Sequence, residues 1–104
     1  MHFELRQLRH FVAVAESETL TSAAERLFMT QSALSMSIRR LEESLGVRLF
    51  ARVGRRLLLT NEGERLLEDA RAVLRSAERL QSRASALRAG KSHLRIGFCD
   101  PGPY

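Results

Sequence analysis

Residues 30–46, TQSALSMSIRRLEESLG, combine an apolar stripe with an unusual polar face. Apolar residues recur at helical intervals, the spacing of a side that packs against a core, at Leu34, Ile38, Leu41 and Leu45. The opposite side carries small hydroxyls, an amide, a thioether and two arginines, where an ordinary solvated helix carries mostly glutamate and lysine. These residues are Gln31, Ser32, Ser35, Met36, Arg39 and Arg40.

The chemistry of this polar face suits the edges of DNA bases. A glutamine amide can pair bidentately with adenine, a serine hydroxyl can donate or accept, and an apolar tip can pack on a thymine methyl group. Arg39 and Arg40 follow one turn later, where they can contact phosphates and set the docking angle. Glu42 and Glu43 come late enough that we expect them beyond the groove. We interpret this helix as a base-reading element of the major groove; the alternative is a plain solvated face.

Positive charge is concentrated in the middle of the chain. Residues 26–60 carry seven Arg against two Glu, whereas residues 1–25 carry two Arg against four Glu. Lys91 is the single lysine among 17 cationic residues. The planar guanidinium group of arginine suits phosphates and guanine edges. A biased base composition of the genome would, however, produce the same preference for arginine over lysine. A merely soluble protein has no reason to distribute its charge in this way.

The length of 104 residues leaves room for one domain with an appendage. The apolar runs are too short to span a membrane, and the start, MHFELRQLRH, lacks the apolar segment of a signal peptide. Cys99 is the single cysteine, which excludes an internal disulfide. The three histidines, His2, His10 and His93, show no metal-ligand spacing. We therefore expect a cytoplasmic protein with no metal, no cofactor and no membrane partner.

Periodicity and capping signals predict three helices before a hairpin. They are residues 4–16, a short helix capped by Thr19 or Thr21 that runs through Leu27, and a third helix from the N-cap Thr30 to a stop at Gly46. Residues 47–60, VRLFARVGRRLLLT, change period around Gly54. Two strands over 49–52 and 57–60 would form a basic hairpin; an irregular loop is the alternative.

Thr60 is then predicted to cap a long helix that ends at Gly90. A short helix, a tight turn and a second helix with a polar outer face are typical of a helix-turn-helix, and a basic hairpin makes it winged. The expected fold is therefore mainly α. A winged helix-turn-helix occupies residues 1–60, a long coiled-coil dimerisation helix occupies residues 61–90, and residues 91–104 follow.

The run LTSAAERLFMTQSALSMSIRRLEESLGVRLFARVGRRLLLTNEG resembles the amino-terminal domain of LysR-type transcriptional regulators. The most specific matches are Ala23-Ala24, residues 30–35, Leu41-Glu42, Leu45-Gly46, Leu49-Phe50, Arg52, and Leu59-Thr60 followed by Gly63. The resemblance implies a bacterial transcriptional regulator that binds double-stranded DNA sequence-specifically. Its recognition helix would lie in the major groove, with the basic wing on the adjacent minor groove or backbone.

The resemblance also assigns roles to single residues. The base-facing positions would be Gln31, Ser32, Ser35 and Met36, and the backbone or wing contacts would be Ser22, Thr30, Arg39, Arg40, Arg52, Arg55 and Arg56. Met36 departs from the family, which often has arginine or another polar residue there, so we expect a thymine-methyl contact in place of a guanine contact. Phe28 is also unusual, because a left-handed backbone costs a bulky residue about 1–2 kcal/mol. We therefore expect a different turn geometry or a compensating contact.

The long helix carries a heptad seam over three repeats, formed by Leu66, Ala70, Val73, Ala77, Leu80, Ala84 and Leu87. Small residues alternate with larger ones, which permits two helices to approach closely. We expect a homodimer through this linker helix; the alternative is that the helix packs back on its own domain. In the family the partner helix is antiparallel, and a tetramer stays open for a full-length protein.

Residues 91–104, KSHLRIGFCDPGPY, alternate as a strand does at Leu94, Ile96 and Phe98. LRIGF resembles the first strand of the family's effector-binding domain, so we expect a stub of a domain that is missing here. A small-molecule effector would act only through that missing domain.

Two other function classes fit less well. An enzyme needs a nucleophile with a base, or converging carboxylates, in a pocket; the candidates here are scattered, so we expect no enzyme. A coiled-coil protein-interaction module or an RNA-binding module would share the basic charge. RNA-binding proteins typically stack bases on exposed aromatic side chains, and the phenylalanines of this sequence form no such platform.

Overall fold

The computed structural model describes residues 2–54 and 56–94, the last four as backbone only. The elements are α1 (Leu5–Glu16), α2 (Leu20–Arg26), α3 (Gln31–Leu45), β1 (Phe50–Val53), β2 (Arg56–Leu59) and α4 (Asn61–Leu94). The prediction of a mainly α winged helix-turn-helix followed by a long helix is confirmed. The chain divides into two compact units. The first ends at Leu74, and the second begins at Arg75 and consists, over its described residues, of the remainder of α4.

The first unit surrounds one apolar core to which the helices and the hairpin contribute. Its largest fully buried side chains are Phe11 on α1, Leu34 and Leu41 on α3, and Leu49 just before β1. The ring of Phe11 meets that of Phe50 edge to face, with 5.6 Å between centroids. The predicted apolar stripe of α3 therefore faces the core, and this leaves its polar side toward solvent.

Helix boundaries follow local capping chemistry. Thr19, rather than Thr21, caps α2: its hydroxyl oxygen accepts the backbone N–H of Ser22 at 3.0 Å. Thr30 caps α3 in the same way, and Gly46 ends α3 in the left-handed conformation with φ 76°. These short-range hydrogen bonds satisfy backbone groups that a helix end leaves free. They explain why the predicted boundaries of α2 and α3 agree with the structure to within one residue.

The turn between α2 and α3 contradicts the expectation for Phe28. Its φ is 57°, a left-handed backbone, and its side chain is 96% exposed, so packing offers little compensation. Two backbone hydrogen bonds stabilise the turn instead. The N–H of Phe28 donates to the carbonyl of Glu25 at 3.2 Å, and that of Met29 donates to the carbonyl of Ala24 at 2.9 Å. This pair defines a Schellman motif, whose left-handed position is usually glycine.

Strands β1 and β2 form an antiparallel hairpin that pairs Phe50 with Leu59 and Val53 with Arg56. The predicted hairpin is confirmed within one residue, and the alternative of an irregular loop is excluded. Gly54 lies in the connection at φ 63°, a conformation that glycine adopts without steric cost. Phe50 is buried against α1, and this anchors the base of the wing to the core.

The predicted end of the long helix is wrong. Helix α4 continues through Gly90 to Leu94. A glycine ends a helix by taking a left-handed conformation, and Gly90 is not among the glycines with positive φ. Leu94, the first residue of the predicted strand, is helical, while Ile96 and Phe98 lie outside the described residues. Over the residues that the structure describes, no helix has the length and apolar character needed to cross a membrane.

The first turn of α4 is joined to the segment that precedes β1. The Thr60 hydroxyl donates to the carbonyl of Arg48 at 2.5 Å and accepts the N–H of Gly63 at 2.9 Å, as expected of a cap. The N–H of Thr60 donates to the carbonyl of Leu49 at 3.0 Å. A Cβ atom added at Gly63 would collide with that same carbonyl oxygen. Glycine is therefore required here by a close backbone approach.

We predict that Gly63→Ala lowers the free energy of unfolding by about 1–3 kcal/mol, because the added methyl group must displace the backbone at Leu49. Gly90→Ala, in the same helix, is the matched control. Nothing lies within 4 Å of an added Cβ there, so better helix propensity should give a gain of up to about 1 kcal/mol. Urea denaturation of both variants measures the difference, and equal stabilities would contradict the proposed collision.

Candidate nucleic-acid interface

The polar face of α3 is accessible over the first three turns of the helix. Gln31, Ser32 and Met36 are exposed, and Ser35 is half-buried. Met36 keeps 46% of its surface accessible although it is a large apolar residue. The structure therefore brings the four predicted base-facing residues together on one surface, opposite the buried Leu34.

Arginines lie on both sides of a cleft between α3 and the hairpin. Arg39 of α3 and Arg52 of β1 line this cleft together with Ser35. Arg40 and Arg56 are exposed as well, whereas Arg55 lies outside the described residues. Clustered guanidinium groups create a positive potential that attracts a polyanion such as a phosphate backbone.

The two predicted hydroxyl contacts differ in what they can offer a phosphate. The Thr30 oxygen accepts the N–H of Ala33 at 3.1 Å, which does not use its own hydroxyl proton. Thr30 also stands at the positive end of the α3 dipole. Ser22, in contrast, donates its hydroxyl proton to the carbonyl of Thr19 at 3.0 Å within the α2 capping box. A phosphate contact through that proton would break this hydrogen bond to the Thr19 carbonyl.

Glu42 has a role that sequence reasoning missed. One oxygen of its carboxylate accepts the backbone N–H groups of Leu49 at 2.7 Å and Phe50 at 3.2 Å. The guanidinium of Arg48 lies 3.9 Å from the same oxygen, and the Glu42 side chain is only 15% exposed. This carboxylate joins the last turns of α3 to the beginning of the wing. No local sequence pattern indicates it, since its partners lie seven and eight residues away.

His10 on α1 makes a second connection to α3. Its Nδ1 lies 2.6 Å from the hydroxyl oxygen of Ser37, and the residue is 8% exposed. Burial, followed by the positive charges of Arg6 and Arg9, holds the pKa of His10 below its ordinary value of 6.5. The neutral ring is therefore favoured at pH 7, and it can form this hydrogen bond without a buried charge.

Gln31 makes a third connection, to α2. Its side-chain Nε2 donates to the hydroxyl oxygen of Thr21 at 2.8 Å. Both residues are exposed, and they stand at the beginnings of α3 and α2 respectively. Thr21 was one of two predicted caps of α2, a role that Thr19 performs instead.

The predicted dimer seam is not uniform along α4. In the first unit, Ala70 is 4% exposed and belongs to the core, and Leu66 is partly buried against it. Ala70 therefore packs on its own domain and can contribute little buried surface to a helix pair. At this position the alternative interpretation, a helix that packs back on its own domain, holds. Larger apolar surfaces occur at Val73 in the first unit and at Leu80 and Leu87 in the second, which are 41%, 70% and 69% exposed. Of the seam alanines between them, Ala77 is half-buried and Ala84 is exposed.

We predict that Glu42→Ala lowers the free energy of unfolding by about 1–3 kcal/mol, since it leaves two backbone N–H groups at the base of the wing without their acceptor. Glu43→Ala is the matched control: this neighbouring glutamate is exposed, and its removal should change stability by about 0.5 kcal/mol or less. Chemical denaturation measures both effects. A Glu42→Ala protein as stable as Glu43→Ala would show that the carboxylate does not hold the wing.

Comparison with known proteins agrees with this geometry. The model of the bacterial regulatory helix-turn-helix protein, lysR family, matches residues 5–64. The uncharacterized HTH-type transcriptional regulator YnfL of Escherichia coli (strain K12) is 44% identical over 100% of this chain and 35% of its own length. The Hca operon transcriptional activator HcaR of the same organism is 46% identical over 91% of this chain and 32% of its own length. The chain thus spans about a third of the length of these curated relatives.

Solved structures with this fold include DNA complexes. A complex of the CbnR DNA-binding domain with DNA has 41% identity and a TM-score of 0.78, covering 83% of this chain and 99% of that one. The likeness covers the fold as a whole, a mainly α winged helix-turn-helix with a long helix. Because the family model matches more than half of the chain, from α1 to the first turn of α4, this protein belongs to the LysR family of bacterial regulatory helix-turn-helix proteins.

Proposed function

We propose that this chain binds double-stranded DNA sequence-specifically, as the DNA-binding part of a bacterial transcriptional regulator. The observation that carries the proposal is the exposed α3 face, on which amide, hydroxyl and thioether groups are flanked by arginines of both the helix and the wing. Family membership supports it, as does the likeness to a CbnR domain whose solved structure is a DNA complex.

In the proposed complex α3 lies in the major groove. Gln31 and Ser32 would reach base edges from the first turn, and Ser35 and Met36 from the second. The thioether of Met36 suits a thymine methyl group, since it has no hydrogen to donate to guanine. The buried stripe on the other side of α3 fixes the direction in which these side chains point.

The backbone contacts would surround this face. Arg39 and Arg40 would neutralise phosphates beside the major groove, and Thr30 would donate to a phosphate at the positive end of α3. The wing would contact the adjacent minor groove or the phosphate backbone through Arg52, Arg55 and Arg56. The Glu42 carboxylate sets the distance between these two contact regions, because it bonds to the chain just where the wing begins.

The wider assignment concerns the full-length regulator. We propose a homodimer through α4, a tetramer as a further assembly of the full-length protein, and a small-molecule effector that acts through a separate effector-binding domain. The protein would work in the cytoplasm as a regulator rather than as an enzyme, with no cofactor of its own. Val73, Leu80 and Leu87 support the dimer, because each exposes an apolar side chain at heptad spacing.

Selection of duplexes from a randomised DNA library tests the binding proposal. The wild-type chain should enrich one sequence, and the logarithm of its affinity should fall against the logarithm of salt concentration with a slope of roughly −5, from about three phosphate contacts per subunit. Ser35→Ala should relax discrimination at one or two base pairs, by about 1–3 kcal/mol. No enrichment, or a slope shallower than about −2, would overturn the proposal.

Arg40→Ala is the matched comparison for that selection. It should weaken binding to all sequences about equally and make the salt slope shallower by about 1 per subunit, because a phosphate contact carries no base information. An Arg40→Ala protein with altered base preference would instead place this arginine among the base-reading groups.

We predict that Leu80→Asp yields monomers with a folded first unit. Leu80 is 70% exposed in the single chain, and burying two leucines between subunits is worth roughly 1.5–3 kcal/mol each. Binding to a two-fold site should weaken strongly in the variant, because the two binding units are no longer linked. Arg79→Ala, next to the seam, should stay dimeric. Sedimentation decides this, and a dimeric Leu80→Asp protein would place the interface elsewhere.

A further inference from the structure

Thr21 holds Gln31 by a hydrogen bond at the beginning of the recognition helix, 2.8 Å from Nε2 to the hydroxyl oxygen. We infer that Thr21 determines specificity: its hydroxyl orients the Gln31 amide so that the amide selects adenine. The inference rests on the proposed DNA-binding function and goes beyond it, because it names a residue outside α3 and the base that this residue favours.

The hydrogen-bonding capacity of the amide carries the argument. A glutamine amide has two N–H donors and one carbonyl oxygen. Thr21 accepts one donor, which leaves one N–H and the oxygen Oε1 for a base. Adenine presents an acceptor at N7 and a donor at its N6 amino group in the major groove, so it complements that remaining pair. Guanine presents two acceptors, N7 and O6, and its O6 would face Oε1 without a proton between them.

The orientation matters because the opposite one would favour the other purine. If the amide were turned over, the Thr21 hydroxyl would donate to Oε1, and both N–H groups of Gln31 would be available for the two acceptors of guanine. In the observed arrangement Nε2 faces Thr21. The direction of a single hydrogen bond therefore distinguishes adenine from guanine at this position.

Both partners of the bond stand on well-fixed backbone. Thr21 lies inside the α2 capping box, between Thr19 and Ser22, and two residues before the buried Ala23. Gln31 is the first residue of α3, directly after its cap Thr30. Fixing a flexible side chain before binding reduces the ordering that binding would otherwise require. The bond therefore preorganises the one amide of the α3 polar face.

The test compares base preferences selected from a randomised duplex library. The position that Gln31 contacts is defined as the one whose preference Gln31→Ala abolishes. At that position the wild-type chain should select adenine, and Thr21→Val, which replaces the hydroxyl by a methyl group of similar shape, should reduce this preference about 2- to 10-fold. Thr21→Ser, which keeps the hydroxyl, should retain it. The double variant Thr21→Val/Gln31→Ala should show the same base preference at this position as Gln31→Ala alone.

Other outcomes separate this inference from the function on which it rests. Uniform weakening of all sequences by Thr21→Val would make Thr21 a phosphate contact and overturn the inference, as would an unchanged adenine preference or a wild-type preference for guanine. Thermal unfolding of Thr21→Val should match that of the wild type, since the residue is exposed; a large loss of stability would give Thr21 a structural role instead. If the wild-type chain selects no sequence at all, the proposed DNA binding itself fails.

Discussion

The carboxylate of Glu42 is the interaction on which the candidate interface depends. It accepts two backbone N–H groups where the chain leaves Gly46 and enters the hairpin, and it does so from a side chain that is mostly buried. Hydrogen bonds from a charged acceptor are among the stronger ones in proteins. The carbonyl of Arg48 in this segment accepts the Thr60 hydroxyl, and the carbonyl of Leu49 lies close to Gly63. A single short stretch, residues 48–50, therefore aligns α3, the wing and the first turn of α4.

The recognition helix is held by apolar packing on one side and by directed hydrogen bonds at its edges. Burial of Leu34 and Leu41 holds α3 against the core. The hydrophobic effect is not directional, however, so it defines poorly the rotation of α3 about its axis and its position along that axis. The bonds of Gln31 to α2, of Ser37 to α1 and of Glu42 to the wing supply that direction from three elements. In the proposed complex, in which α3 presents four side chains to base edges, a fixed rotation of the helix about its axis would favour binding.

The turn and the linker helix show how the fold overrides single-residue preferences. Phe28 adopts a left-handed backbone because the Schellman hydrogen bonds of the turn require one there, although the residue type disfavours it. Gly90 remains helical because one glycine costs only about 1 kcal/mol within a long helix. Ala70 belongs to the core rather than to the exposed part of the seam, because the first turns of α4 pack on their own unit.

Local sequence patterns were enough to predict the first three helices, the hairpin, the caps Thr30 and Gly46, and the side of α3 that faces the core, because these depend on periodicity and on hydrogen bonds within a few residues. The same periodicity located the candidate DNA-binding face. The contacts of Glu42, His10 and Thr21, in contrast, form only when the helices and the wing pack together, since their partners lie seven to 27 residues away along the chain. Such contacts depend on the distance between packed elements, which no local pattern of residues records.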